Sequence, residues 1–167
     1  LPAGNAVVLK PAEQTPASIL EIGRLAQEAG FPAGVVNVVP GYGGIAGARL
    51  VAHPKVNKIS FTGDHRTAQK IMQSASGSLK RCTFECGGKS PHIVFADADL
   101  AKALTVAIHS AFRSTGQSCS LGSRLFIERS IYDRFSKAPV ARTRKIRVGR
   151  PLDPKTQIGP QTPAEQL

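Results

Sequence analysis

The chain has 167 residues, of which 41% are hydrophobic. That is enough for one ordinary domain and too apolar for a disordered polymer. No apolar run approaches the roughly 20 residues that a membrane-crossing helix needs. Leu1-Pro2-Ala3-Gly4-Asn5 has neither a charged leader nor an initiator Met, so the chain is expected to begin inside a longer protein. The net charge of +11 is partly local: seven basic residues and no acid lie between Arg134 and Arg150. With aromatic residues at only 5%, no stacking platform interleaves that stripe. It reads as a solvated helix face, and neither nucleic acid nor membrane is expected as a partner.

The elements alternate. Ala6–Leu9 is a short apolar strand, and Thr15-Pro16 offers a cap with Pro at the first helical position. Ile19, Leu20, Ile22, Leu25 and Ala26 share one helix face until Gly30-Phe31-Pro32 stops it. Val35–Val39 is a second strand. Ile45–Ala52 is a helix, Lys58–Phe61 a third strand, and Asp64 to about Ser74 a helix capped by Asp64. Arg81–Phe84 is a fourth strand before Gly87-Gly88. His92–Phe95 follows as a strand, then a helix from Asp97 to about Ser114 with Leu100, Leu104, Ala107, Ile108 and Ala111 inward. A loop holds Gln117–Ser120, Arg124–Ile127 is a strand, and Ile131–Phe135 opens a helix that Pro139 should break or end early. Residues 150–167 read as loop. Strands alternating with single helices imply an α/β fold with a parallel sheet, whose ligands sit at the carboxyl ends of the strands.

Three cysteines, Cys82, Cys86 and Cys119, are an odd number. They suggest a reducing compartment, taken as cytoplasmic with the mitochondrial matrix as the alternative. Cys82, Cys86 and His92 do not have the spacing of a zinc knuckle, and no metal is expected. Cys119, on a polar loop after a long helix, reads either as a thiolate nucleophile or as a small buried hydrophobe. Glu85, at a strand end before two glycines, reads either as a general base or as a surface carboxylate paired with Lys89. Gly63 lies in a strand-to-helix turn of the kind that accepts phosphate. Gly43 and Gly47 permit close approach to the second helix. Lys10 and Glu13, after the first strand, either grip a ribose or phosphate or are ordinary exposed charges.

The order of these segments is more specific than any one of them. Val8-Leu9-Lys10-Pro11-Ala12-Glu13-Gln14-Thr15-Pro16 comes first, followed by Gly30-Phe31-Pro32 to Pro40-Gly41 and Phe61-Thr62-Gly63. Glu85-Cys86-Gly87-Gly88-Lys89-Ser90-Pro91 and Gly116-Gln117-Ser118-Cys119 come next. The succession resembles the aldehyde dehydrogenase superfamily, and Pro151-Leu152-Asp153-Pro154 and Gln157-Ile158-Gly159-Pro160 extend the likeness nearly to the end. The resemblance implies a partial Rossmann-like parallel sheet with flanking helices, followed by the start of an α/β catalytic domain. Residues 1–87 would be part of the NAD(P)-binding domain and 88–167 the first part of the thiol-bearing domain.

The resemblance also implies chemistry. Cys119 would attack an aldehyde to give a thiohemiacetal and then a thioester, with Glu85 activating the hydrolytic water and the Cys119 amide donating to the oxyanion. Lys10, Glu13, Gly43, Gly47, Gly63, Asp64 and Cys86 would contact the cofactor. Glu13 would hydrogen-bond ribose hydroxyls and repel a 2′-phosphate, favouring NAD over NADP. The partners implied are a small aldehyde and further copies of the whole protein.

Several positions depart from the pattern: Asp64 where the family usually has Ser, Ala68 where it has Gly, Cys86 where it has Leu, and Pro139 with the basic stripe where it has a continuous helix of mixed charge. Family members are roughly three times as long. They add an upstream Asn to the oxyanion hole and a downstream Glu and Phe around the nicotinamide. Loss of one oxyanion donor alone typically lowers rate by about 10²–10³. The 167-residue chain by itself is therefore expected to be inactive and poorly stable. The alternative is a non-catalytic binding protein or pseudoenzyme of the same fold.

Overall fold

The computed structural model describes residues 1–161. Strand β1 is Val7–Leu9, helix α1 Ala17–Glu28 and strand β2 Val36–Val38. A π-type turn at Gly43–Gly47 leads into α2, Ala48–Ala52. Then come β3 (Lys58–Gly63), α3 (His65–Ser76), β4 (Arg81–Cys86), β5 (Pro91–Val94), α4 (Leu100–Phe112), β6 (Arg124–Ile127) and α5 (Tyr132–Thr143). This is the α/β alternation expected from the pattern. The strands pair two by two: β1 with β2, β3 with β4, and β5 with β6. β1–β2 and β5–β6 are parallel. The chain forms two compact units, Leu1–Phe84 and Glu85–Leu167.

In the first unit, helix ends follow local chemistry. Helix α1 begins one residue late: Pro16 holds the cap position and has no side-chain acceptor, so the Thr15 cap is not formed. It ends in a Schellman motif, with Phe31 N–H donating to Ala26 C=O at 3.1 Å and Gly30 N–H to Gln27 C=O at 3.0 Å. Gly30 supplies the required φ of +82°. Helix α3 closes in the same way with Leu79 at φ +50°, a conformation that disfavours a side chain. The expected helix at 45–52 is α-helical only from Ala48, because Ala46 N–H and Gly47 N–H both turn back to Tyr42 C=O, at 2.9 and 3.4 Å. Such π-type turns occur often at functional sites.

In the second unit, α4 starts on Asp99, whose carboxylate accepts from Ala101 N–H and Lys102 N–H at 3.1 Å each. Its inward face packs on α5, with Ala107 and Phe135 buried. Contrary to expectation, α5 runs through Pro139. The ring removes one hydrogen bond and costs about 3 kcal/mol in an isolated helix. Here Pro139 and Val140 wall a hollow of about 340 Å³ with Ala107, Ile108, Ala111 and Leu125, and the packing of α4 on α5 offsets part of the local penalty. Residues 150–161 are loop apart from a parallel bridge between Val148 and Ile158; the rest of the expected loop lies outside the described residues.

The core is small. Buried apolar residues are Ala68, Ala75, Val94, Ala107, Leu121 and Phe135, and no polar side chain is buried among the described residues. The accessible surface is 12516 Å². A globular protein of this mass exposes about 7,900 Å², and two separate units of half the mass about 9,500 Å². Large apolar side chains lie open: Leu20, Ile22 and Leu25 on α1, and Ile93, Phe95 and Phe126 around the β5–β6 pair.

Candidate functional site

The first unit brings together four of the residues singled out in the sequence. Lys10 follows β1, and its ammonium donates to Gly41 C=O at 3.1 Å, tying the carboxyl end of β1 to the turn after β2. The same ammonium lies 3.5 Å from the Glu13 carboxylate. Gly43 N–H donates to the other Glu13 oxygen at 3.3 Å. A Cβ placed on Gly47 would stand 3.4 Å from Lys10 Cδ. Glu13 is thus fixed between a cation and a backbone N–H, at the strand ends where α/β sheets bind ligands. Its own backbone N–H, then that of Gly43, then Lys10 hold its carboxyl below the usual carboxylate value. Pro11, Ala12, Glu13, Pro16, Gly41 and Tyr42 line a shallow hollow of about 220 Å³ beside it. A carboxylate and an ammonium against a glycine-bared turn fit a ribose diol and a flat base.

Gly63 and Asp64 lie apart from that cluster in sequence, at the junction of β3 and α3. A Cβ on Gly63 would sit 2.7 Å from the Phe61 ring, so a side chain there would require the ring to move. Asp64 caps α3, accepting from Arg66 N–H at 2.9 Å. The Arg66 guanidinium also donates to it, from Nε at 3.0 Å. That side-chain bond first, then the backbone one, lowers the Asp64 carboxyl below its ordinary value. The sequence marked Asp64 as a cap. It did not mark Arg66, because residues two apart rarely face each other on a helix.

The second unit holds the reactive candidates. Glu85 is the penultimate residue of β4, on the strand's open face with Arg81 and Thr83, while Cys82, Phe84 and Cys86 share the half-buried face. Among the described residues Glu85 forms no ion pair, and Lys89 is not its partner. Cys119 is a free, exposed thiol. No hydrogen bond joins it to Glu85 among the described residues.

The segment before Cys119 is unusual. Ser114 and Thr115 both adopt left-handed backbone, at φ 52° and 58°, and Gly116 follows at φ 75°. Two consecutive non-glycine residues there cost on the order of 1–2 kcal/mol each. The turn is held by Gln117 N–H to Ser114 C=O at 3.0 Å and by Arg113 to the Ser118 hydroxyl at 3.4 Å. After Cys119, Leu121 is buried and Gly122 N–H donates to the Ser110 hydroxyl at 2.9 Å. The thiol therefore stands on a loop pinned on both sides. No sequence signal marked Ser114 and Thr115, since neither residue type favours that conformation.

Comparison with known proteins places this geometry. The family model described as "Aldehyde dehydrogenase family" matches residues 1–167. Retinal dehydrogenase 2 of Mus musculus is 52% identical over 164 residues, covering 98% of this chain and 32% of its own length. The structure of PnpE from Pseudomonas sp. WBC-3, solved also in complex with nicotinamide adenine dinucleotide, superposes with a TM-score of 0.95 at 46% identity, covering 98% of this chain and 34% of that one. A 3,6-anhydro-L-galactose dehydrogenase solved in complex with NAP has a TM-score of 0.94 at 40% identity, covering 98% of this chain and 34% of that one. The chain spans about a third of the length of the curated relatives it matches. On a match that runs through every residue, from the Lys10–Glu13 cluster to the thiol loop, the chain belongs to the aldehyde dehydrogenase family.

Proposed function

We propose that this chain supplies the cofactor-binding and thiol-bearing parts of an enzyme that oxidises an aldehyde to a carboxylic acid. Residues 1–87 would be part of the NAD(P)-binding domain and 88–167 the first part of the catalytic domain. The single observation that carries the reading is the convergence of Lys10, Glu13, Gly43 and Gly47 at the ends of β1 and β2. Four bland residues form there a site suited to an adenosine ribose. The Glu13 carboxylate would accept from the ribose hydroxyls and oppose a 2′-phosphate, which favours NAD, with NADP the poorer ligand. Gly63 and Asp64 would lie at the diphosphate, and Cys86, the last residue of β4, would also contact the cofactor.

The Cys119 thiolate would attack the aldehyde carbon, and its backbone N–H would donate to the oxyanion. Bound dinucleotide supplies the acceptor for the hydride that leaves the thiohemiacetal carbon, which turns the adduct into a thioester. Glu85 would take a proton from water as that water attacks the thioester carbon, releasing the acid and restoring the thiolate. The open Glu85 carboxylate and the exposed Cys119 thiol support these roles. The isolated 167-residue chain would not turn over, because its thiol loop and apolar faces lack covering layers. The complete polypeptide carrying this sequence would assemble as a homo-oligomer in a reducing compartment, the cytoplasm first.

The test uses that complete polypeptide. Glu85→Gln should keep a single-turnover burst of reduced cofactor while steady turnover falls by about 10²-fold or more, the usual weight of a general base. Cys119→Ala should abolish the burst. A full-rate steady state in either variant counts against the assignment, and no burst with any aldehyde favours the non-catalytic alternative.

A further inference from the structure

We infer that Arg66 is a positioning residue for the cofactor's diphosphate, acting by neutralising Asp64. The inference rests on the cofactor reading above and concerns a side chain that the reading does not use.

Asp64 holds the cap of the 12-residue helix α3 at the Gly63 turn. An uncompensated carboxylate there opposes an incoming diphosphate with like charge. The carboxylate is not alone. Arg66 Nε lies 3.0 Å from Oδ1 and its terminal nitrogen 3.5 Å from Oδ2. His65 Nδ1 is 3.7 Å from Oδ2. A cation in the first turn of a helix is disfavoured by the helix dipole. Arg66 nevertheless folds back over the N-terminus, because the capping carboxylate draws it there across a spacing of two residues. Its side chain is 78% exposed, so no core packing sets this position. The result is a turn that keeps a strong carboxylate cap yet presents no net negative charge to an anion. Of the five N–H groups of a guanidinium, two serve Asp64; the rest face solvent.

In the same unit Lys10, Glu13 and Gly43 form the adenosine-side site of the cofactor reading, and that reading puts the diphosphate at Gly63 and Asp64.

The experiment measures binding, not turnover. In the complete polypeptide carrying this sequence, ADP-ribose and adenosine are titrated calorimetrically at low ionic strength against wild type, Arg66→Ala, Asp64→Ser and the double variant. Ser also caps helices, and Arg66 is exposed, so folding is kept. Arg66→Ala should weaken ADP-ribose by about fivefold, the size of one exposed charge contact, and leave adenosine unchanged. In the Asp64→Ser background the same change should cost less than about twofold. Added salt should shrink the difference. An equal loss in both backgrounds overturns the neutralising role and makes Arg66 a direct phosphate contact. An unchanged ADP-ribose affinity, or an equal loss for adenosine, overturns the proposal altogether while leaving the cofactor reading intact. If wild type binds neither ligand, both fall.

Discussion

By its geometry, Gly122→Ala should disturb the thiol loop. Gly122 is buried three residues beyond Cys119. A Cβ there would stand 2.6 Å from Ser110 Oγ, 2.9 Å from His92 Cβ and 3.2 Å from His92 Nδ1. Ser110 Oγ is also the acceptor of the Gly122 N–H, so it cannot retreat and keep its bond. Overpacking of this kind costs about 1–3 kcal/mol, and the loosened hydrogen bond about 1 kcal/mol. Alanine returns about 0.4–1 kcal/mol by restricting the unfolded chain. The net destabilisation is about 1–3.5 kcal/mol, a fall of about 1 M in the urea midpoint at an ordinary slope. Gly88→Ala is the control: nothing lies within 4 Å of its Cβ, so it should only gain the about 0.4–1 kcal/mol that restricting the unfolded chain returns. The assay is urea unfolding followed by circular dichroism, with the iodoacetamide rate at Cys119 read in parallel. Equal, small shifts for both variants would refute the idea that Gly122, Ser110 and His92 together pin the loop.

Pro139→Ala should stabilise the second unit by about 1–2 kcal/mol, since the restored hydrogen bond is worth more than the lost ring contact on α4; a lower melting midpoint would show that the ring contact dominates. Glu128 tests pH dependence. Ser130 O–H first, then Ala96 N–H, lower its carboxyl below the ordinary 4.5, with contacts of 2.6 and 2.8 Å. A depressed folded-state value means the contribution is complete above the unfolded value and is lost as pH falls from about 4.5 through the folded value. Wild type should therefore lose more urea resistance between pH 5 and about pH 3 than Glu128→Gln; parallel curves would remove Glu128 from the acid response.

Much of the fold could be read from the sequence because its signals are local. Gly30 ends α1, and Asp64 and Asp99 start α3 and α4, each through one side chain or one φ angle. The misreadings came where a distant contact outweighed a local preference. Pro139 sits inside α5 because α4 packs against it. The first turn of the second helix opens into a π turn because Tyr42 C=O takes several donors. The site follows the same rule. Cys119 and Glu85 were legible as residues, but the left-handed Ser114-Thr115 pair that carries the thiol was not. Lys10, Glu13, Gly43 and Gly47 were each unremarkable until β1 and β2 brought residues about 30 apart together.

The two units also differ in what fixes their candidate sites. The Lys10–Glu13–Gly43 cluster is held by charge, backbone N–H groups and the parallel β1–β2 ladder, none of which needs a large core. The thiol loop depends on packing, through buried Leu121 and Gly122, beside the β5–β6 pair, around which Ile93, Phe95 and Phe126 lie open to water. Exposed apolar area of that extent weakens what packing can contribute, since burial is the main favourable contribution to folding. Cofactor recognition is thus the more self-contained part of the proposed function, and positioning of Cys119 is the part most sensitive to what covers the second unit.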